Sequence, residues 1–133
     1  MVRQIGAALG RRDLDLFLEL SHPSVEWQSS ISVISEGGAY HGHDGVRQYM
    51  RDVDEAFESF EATVDSVLDI GDLVVAVGRL RYRGKTSGVE THAPVGWVYR
   101  FREGKVVYLR AFRDPERALE AVGLSEQDAH ADS

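Results

Sequence analysis

Apolar residues recur along the chain at two different spacings, and the change from one to the other separates a helical first part from a strand-rich second part. Val2, Ile5 and Leu9 stand at helical spacing. Gly10-Arg11-Arg12 interrupts them. Asp13 follows, a residue type whose carboxylate accepts from the free N–H groups of a first helical turn, so a second helix is predicted with Leu14, Phe17 and Leu18 on one face. His22-Pro23-Ser24 stops it, because the residue before a proline is pushed out of the α region, and Val25-Glu26-Trp27-Gln28 reads as a strand. Ser29 to Gly38 has no readable period. After Tyr40-His41-Gly42-His43 the clearest helix is predicted, capped by His43 or Asp44. Val46, Tyr49, Met50, Val53, Phe57 and Phe60 form its apolar stripe, with Arg51, Asp52, Asp54, Glu55 and Glu58 opposite.

From Glu61 onward the period becomes two. Four strand-like segments are separated by Gly71-Asp72, Gly84 to Gly88 and Glu103-Gly104, which are hairpin signals, so an antiparallel meander is predicted. Asp114-Pro115-Glu116 starts a last helix and Gly123 stops it. Helices this few cannot cover both faces of the sheet. One face should wrap around them while part of the other meets water or a second subunit. A chain of 133 residues supports one core. The expectation is a single α+β domain over residues 1–125, with 126–133 a flexible C-terminal tail.

Charge narrows the partners. A formal net charge of -7 is a poor match for a phosphate backbone and points to neutral or apolar ligands, with no nucleic acid. Arg79, Arg81 and Arg83 share one strand face, where a solvated or paired row is the ordinary reading. With no cysteine, disulfides and thiolate chemistry are excluded. The longest apolar run, Leu73 to Val77, is too short to span a membrane, and Met1 to Leu9 lacks the core of a secretory signal. A cytoplasmic protein is expected.

Several ordered pieces carry a resemblance: Arg12-Asp13-Leu14-Asp15, Val25-Glu26-Trp27, Gly42-His43-Asp44-Gly45-Val46-Arg47, Gly71-Asp72, Gly104-Lys105-Val106-Val107 and Ala118 to Leu124. Their order and spacing over nearly the whole chain resemble the SnoaL-like branch of the nuclear transport factor 2-like superfamily. The resemblance implies a cone-shaped α+β barrel of cystatin-like topology, with N-terminal helices packed on a curved mixed or antiparallel sheet. It also implies a frequent homodimer and a pocket between helices and concave sheet. Members include polyketide cyclases, ketosteroid isomerases, epoxide hydrolases, dehydratases and non-catalytic binding modules, so any reaction must be argued from the site.

Aligned with the isomerase branch, the general base falls at Trp27 and the proton-donating acid at about Trp97, and the helix-one tyrosine has no counterpart. The cyclase branch's aspartate also lies near Trp97, and the epoxide hydrolase carboxylate falls at Ala111 after Arg110. Without those acids the usual proton transfers lose their groups. His92 is the remaining titratable candidate, since an imidazole suits proton transfer near neutral pH. Alternation sets Val89, Thr91, Ala93, Val95, Trp97, Tyr99 and Phe101 on one face and His92 on the other, unless a bulge at Pro94 to Gly96 flips the register. His41 and His43 lack a third ligand at metal spacing, and neither a metal nor a cofactor is implied.

The ligand-contact set expected is Trp27, Tyr49, Trp97, Tyr99, Arg110 and Phe112, lining an apolar pocket for an apolar or polycyclic small molecule. Arg110 would anchor a carboxylate or phenolate, or pair with a buried acid such as Glu26. A small-molecule binding protein is the first reading. An isomerase, cyclase or hydratase using His92, Glu26 or Tyr40 without a cofactor is the second.

Overall fold

The computed structural model describes residues 2–29 and 39–123. The expected tail, 126–133, and most of the unreadable stretch after Ser29 lie outside them. Two short helices, α1 (Val2–Gly10) and α2 (Leu14–Leu20), lead into β1 (Ser21–Gln28). A two-residue strand β2 (Tyr40–His41) precedes α3 (Gly42–Ala56), and the meander follows as β3 (Phe57–Ile70), β4 (Leu73–Gly84), β5 (Glu90–Arg102) and β6 (Lys105–Phe112). Helix α4 (Pro115–Ala121) closes the described chain.

The strands form one six-stranded sheet in the order β2-β1-β6-β5-β4-β3. All neighbours are antiparallel except β1 and β6, so the sheet is mixed, and it does not close. Helices α1 to α3 cover its inner face, where the main core lies: Ile5, Phe17, Val46, Val53 and Leu109 are among its fully packed residues. The alternation that points Leu80, Val95 and Leu109 inward points Val75 and Val98 outward. Ala118 and Leu119 of α4 cover these two in a second, smaller cluster.

Local capping follows the sequence at two helices. Asp13 accepts from the Leu16 N–H at 3.1 Å, and Asp114 accepts from the Glu116 N–H at 3.0 Å ahead of Pro115. Helix α3 departs from the expectation. Its cap position is His41, with no side-chain cap bond, and Gly42 takes φ +67, a backbone turn that favours glycine. His43 reaches away instead, its Nε2 lying 2.8 Å from the Ser21 carbonyl oxygen.

The end of α3 needs a second correction. Phe57 and Phe60, expected on its stripe, begin β3. A strand would normally place residues three apart on opposite faces. A bulge between Phe57 and Ser59 shifts the register, so both rings point into the core, where they meet Tyr82.

The possible bulge at Pro94 to Gly96 does not occur, since β4 and β5 pair without a break from Leu73↔Arg100 to Arg83↔Glu90. Both unusual residues have other causes. Strand β6 pairs with β5 only from Gly96 onward, so Pro94 faces an open edge where its missing N–H is not needed. A Cβ at Gly96 would lie 2.6 Å from the Ala118 Cβ, so glycine is what lets α4 sit down on the sheet.

Candidate functional site

Register builds the inner site row by row. Tyr40, Trp27, Leu109, Tyr99 and Val74 are successive cross-strand partners over five strands and share the inner face. In the adjacent row Trp97 stands between Ala111 and Ala76, two small neighbours that leave room for the indole. Helix α3 lowers Tyr49 onto this surface, 4.9 Å between ring centroids from Trp27 and 5.4 Å from Tyr40. Phe17 of α2 meets Trp27 edge-on at 5.7 Å. Such tilted and edge contacts hold the rings in fixed mutual orientation, each contributing about 0.5–1.5 kcal/mol beyond area burial.

Trp27, Tyr49, Trp97 and Tyr99 are between 2% and 5% exposed. The sequence-expected set is therefore brought together in these four and divided from the other two. Arg110 and Phe112 lie on the outer face, since the alternation that buries Leu109 and Ala111 turns them the other way. There the Arg110 guanidinium packs 4.7 Å over the Phe112 ring. Arg110 does not pair with Glu26, whose carboxylate is 3.8 Å from His41 Nδ1 at the surface. Tyr40, named only as an alternative catalytic group, belongs to the inner row. Phe17 was recognisable as core, but not as a site residue, because nothing in the sequence signals the parallel β1–β6 pairing that seats β1 below α2.

The inner site is polar only at the tips of its rings. Trp27 Nε1 is buried and has no hydrogen-bond partner among the described residues. It faces the Tyr49 phenol nearly enough to favour its ionised form slightly, without meeting hydrogen-bond geometry. Burial nevertheless pushes the Tyr49 phenol well above its ordinary value, as the nearby Tyr40 does to a smaller degree, against an opposing pull from Arg12. The Tyr99 phenol is raised by burial and then by Tyr49. Tyr40 is raised by partial burial and by Asp52, to which its hydroxyl donates at 2.6 Å. All three phenols are therefore neutral at physiological pH; the Tyr40 proton is committed to Asp52, while Tyr49 and Tyr99 carry O–H groups that can donate.

The titratable groups lie elsewhere. His92 is on the outer face, its side chain 68% exposed and its Nε2 3.4 Å from Glu90. It lines a surface groove of about 470 Å³ together with Glu61, Arg79, Arg81 and Pro94. The arginine row there is paired: Arg79 with Asp65 at 3.1 Å, Arg81 with Glu61 at 3.6 Å and Arg83 with Glu90 at 3.9 Å. His41 and His43 share no strand face, since one ends β2 and the other lies in the first turn of α3. Among the described residues no group of three His, Cys, Asp or Glu side chains comes together to hold a metal ion. No helix among them is long and apolar enough to cross a membrane.

Comparisons with known proteins agree with this architecture. A comparison with curated proteins returned no match. A nuclear transport factor 2-like protein of unknown function from Burkholderia pseudomallei is similar in structure, with a TM-score of 0.75, 26% identity, and 92% of this chain and 94% of that one covered. TerC, crystallised with polyporic acid, is similar at a TM-score of 0.74 and 22% identity over 85% of this chain and 88% of its own. A putative SnoaL-like polyketide cyclase from Jannaschia sp. CCS1 follows at 0.70 and 23%, covering 91% and 85% respectively. The SnoaL-like domain model matches residues 2–109. With that match spanning most of the chain, and an open α+β cone built as the family's resemblance implied, the protein belongs to the SnoaL-like domain family.

Proposed function

We propose that the protein binds a flat, largely apolar small molecule carrying an acceptor oxygen, held in the aromatic interior between α2, α3 and the sheet. The observation that carries this reading is the buried Trp27 Nε1–H, which has no acceptor among the described residues. A buried donor left unpaired costs about 1–3 kcal/mol, and a ligand oxygen that accepted from it would recover that energy. Tyr49 and Tyr99 supply two more donors that stay neutral, so the site matches a carbonyl or phenol oxygen rather than a cation. The likeness to TerC, crystallised with polyporic acid, supports a small-molecule role for this fold.

The test is calorimetric titration with a panel of polycyclic ketones and phenols against wild type and Trp27→Phe. Micromolar or tighter binding by some panel members, weakened about tenfold in W27F, is expected for loss of one buried hydrogen bond. Absence of binding across the panel, or equal binding by W27F, would sink the proposal.

A second reading, an enzyme of the isomerase, cyclase or hydratase type, is favoured by one observation: the Tyr40 hydroxyl bonds Asp52 at the rim of the inner row. The Tyr40 proton is given to Asp52, which enriches the phenol oxygen, so Tyr40 would meet a substrate as an acceptor and orient its hydroxyl. Turnover of a panel ligand that disappears in Tyr40→Phe while binding persists would establish it. A homodimer belongs to the same proposal on the strength of the family resemblance, and native mass spectrometry decides it.

A further inference from the structure

The outer face carries a second concavity, separate from the aromatic interior. It lies between the end of α4 and strands β4, β5 and β6, and measures about 290 Å³. Its walls include Leu73, Val98, Phe112 and Val122, and two arginines, Arg100 and Arg110, enter it. The register pairs Val98 with Arg110 and Arg100 with Tyr108, so the two arginines are diagonal neighbours on adjacent strands of the same face. Diagonal positions are about 7–8 Å apart, a separation that one anionic group can bridge.

These arginines differ from the Arg79, Arg81 and Arg83 row on the same sheet. Arg79, Arg81 and Arg83 each have an acid within 4 Å, in a chain with 22 acids against 15 bases. Among the described residues neither Arg100 nor Arg110 makes an ion pair, and the Arg110 guanidinium lies instead over the Phe112 ring. Stacking on a ring leaves the edge N–H groups free to meet a carboxylate in plane. Apolar walls beside two unpaired, partly oriented guanidiniums fit a ligand that is anionic at one end and apolar at the other. A volume at the lower limit for ligand pockets, about 300 Å³, sets the size at one or two rings.

We infer that this groove is a second binding site, for a small aromatic carboxylate whose anionic group bridges Arg100 and Arg110 and whose ring packs on Val98 and Val122. The inference is independent of the interior site, because no residue is shared between them.

The experiment is a titration of the full chain with 2-naphthoate, followed by amide and indole NMR shifts, in wild type and in Arg100→Gln/Arg110→Gln. 2-Naphthylmethanol serves as the neutral isostere. Shifts at the Leu73, Val98 and Val122 amides are expected without movement of the Trp27 indole. Naphthoate affinity should fall about tenfold or more in the double variant, as for loss of a charge-assisted bidentate contact. Both arginines are exposed, so an unchanged spectrum of the unliganded variant confirms that the fold survives. No naphthoate binding, equal binding of the two probes, shifts confined to Trp27 and Tyr99, or undiminished affinity in the double variant would each overturn the inference. So would tighter naphthoate binding by Glu126→Gln/Asp128→Asn/Asp132→Asn, which would assign the groove to this chain's own acidic segment.

Discussion

The two faces of the sheet solve different problems with the same backbone. On the inner face, Trp27, Tyr49, Trp97 and Tyr99 are withdrawn from water, and one polar tip, Trp27 Nε1, has no acceptor among the described residues. On the outer face of β3, β4 and β5, charges are abundant and arranged so that each arginine of the Arg79, Arg81 and Arg83 row has an acid beside it. A face rich in ionisable groups looks like chemistry in a sequence, but its pairs are exposed and satisfied. The face with few polar atoms is the one with an unmet hydrogen bond, and an unmet bond in a dry site is worth more than a paired charge in a wet one.

The sharpest way to separate the faces is by truncation. Trp97→Ala should cost about 3–5 kcal/mol in urea unfolding, because Ala76 and Ala111 on either side cannot fill the space an indole leaves. A loss under about 1 kcal/mol would mean that the inner rows are not packed as described. Gly96→Ala comes next, at about 1–3 kcal/mol, since its Cβ would collide with Ala118 and the Pro115 Cα and force α4 off the outer cluster. An unchanged midpoint would show that α4 moves freely.

Alkaline pH discriminates the faces without removing any packing. Tyr49 has a folded pKa raised above the ordinary 10.0. Its contribution is therefore fully present below about pH 10 and is lost as pH rises from there toward the folded value. Unfolding free energies measured from pH 9 to 11.5 should fall less steeply in Tyr49→Phe, by up to about 1.4 kcal/mol per pH unit. Identical slopes would place the Tyr49 hydroxyl in water. The smallest effect belongs to the outer ladder: Arg79→Ala should cost about 0–1 kcal/mol and less in high salt, because both side chains of its pair with Asp65 are about half exposed or more. A larger loss would give that ladder a structural role.

How much of this was legible depended on whether one period governed a segment. The meander, its three turns and the caps at Asp13 and Asp114 were visible because turn residues and alternation agree there. The end of α3 was not, because Phe57 and Phe60 continue a helical stripe, and only a bulge in β3 makes the same spacing work in a strand. Trp27, Tyr49, Trp97 and Tyr99, expected together from the sequence, do share the inner core. Arg110 and Phe112 were misplaced because β6 is apolar on both faces, a pattern that reads as pocket wall when the cover is unknown. The cover is α4, whose Ala118 and Leu119, with Val122 just after it, required an apolar surface to rest on, and that was the available signal. The unpaired Trp27 N–H could not be read at all, since it depends on what four other elements leave around one atom.

The central claim is that the Trp27 indole donates to a bound ligand. It is tested most directly by the Trp27 Nε1–H resonance during titration with the tightest-binding polycyclic ketone or phenol of the panel. A downfield shift that saturates with binding, with Trp97 serving as the second indole in the same spectrum, is the expected result. Saturated binding with the Trp27 resonance unmoved would contradict it.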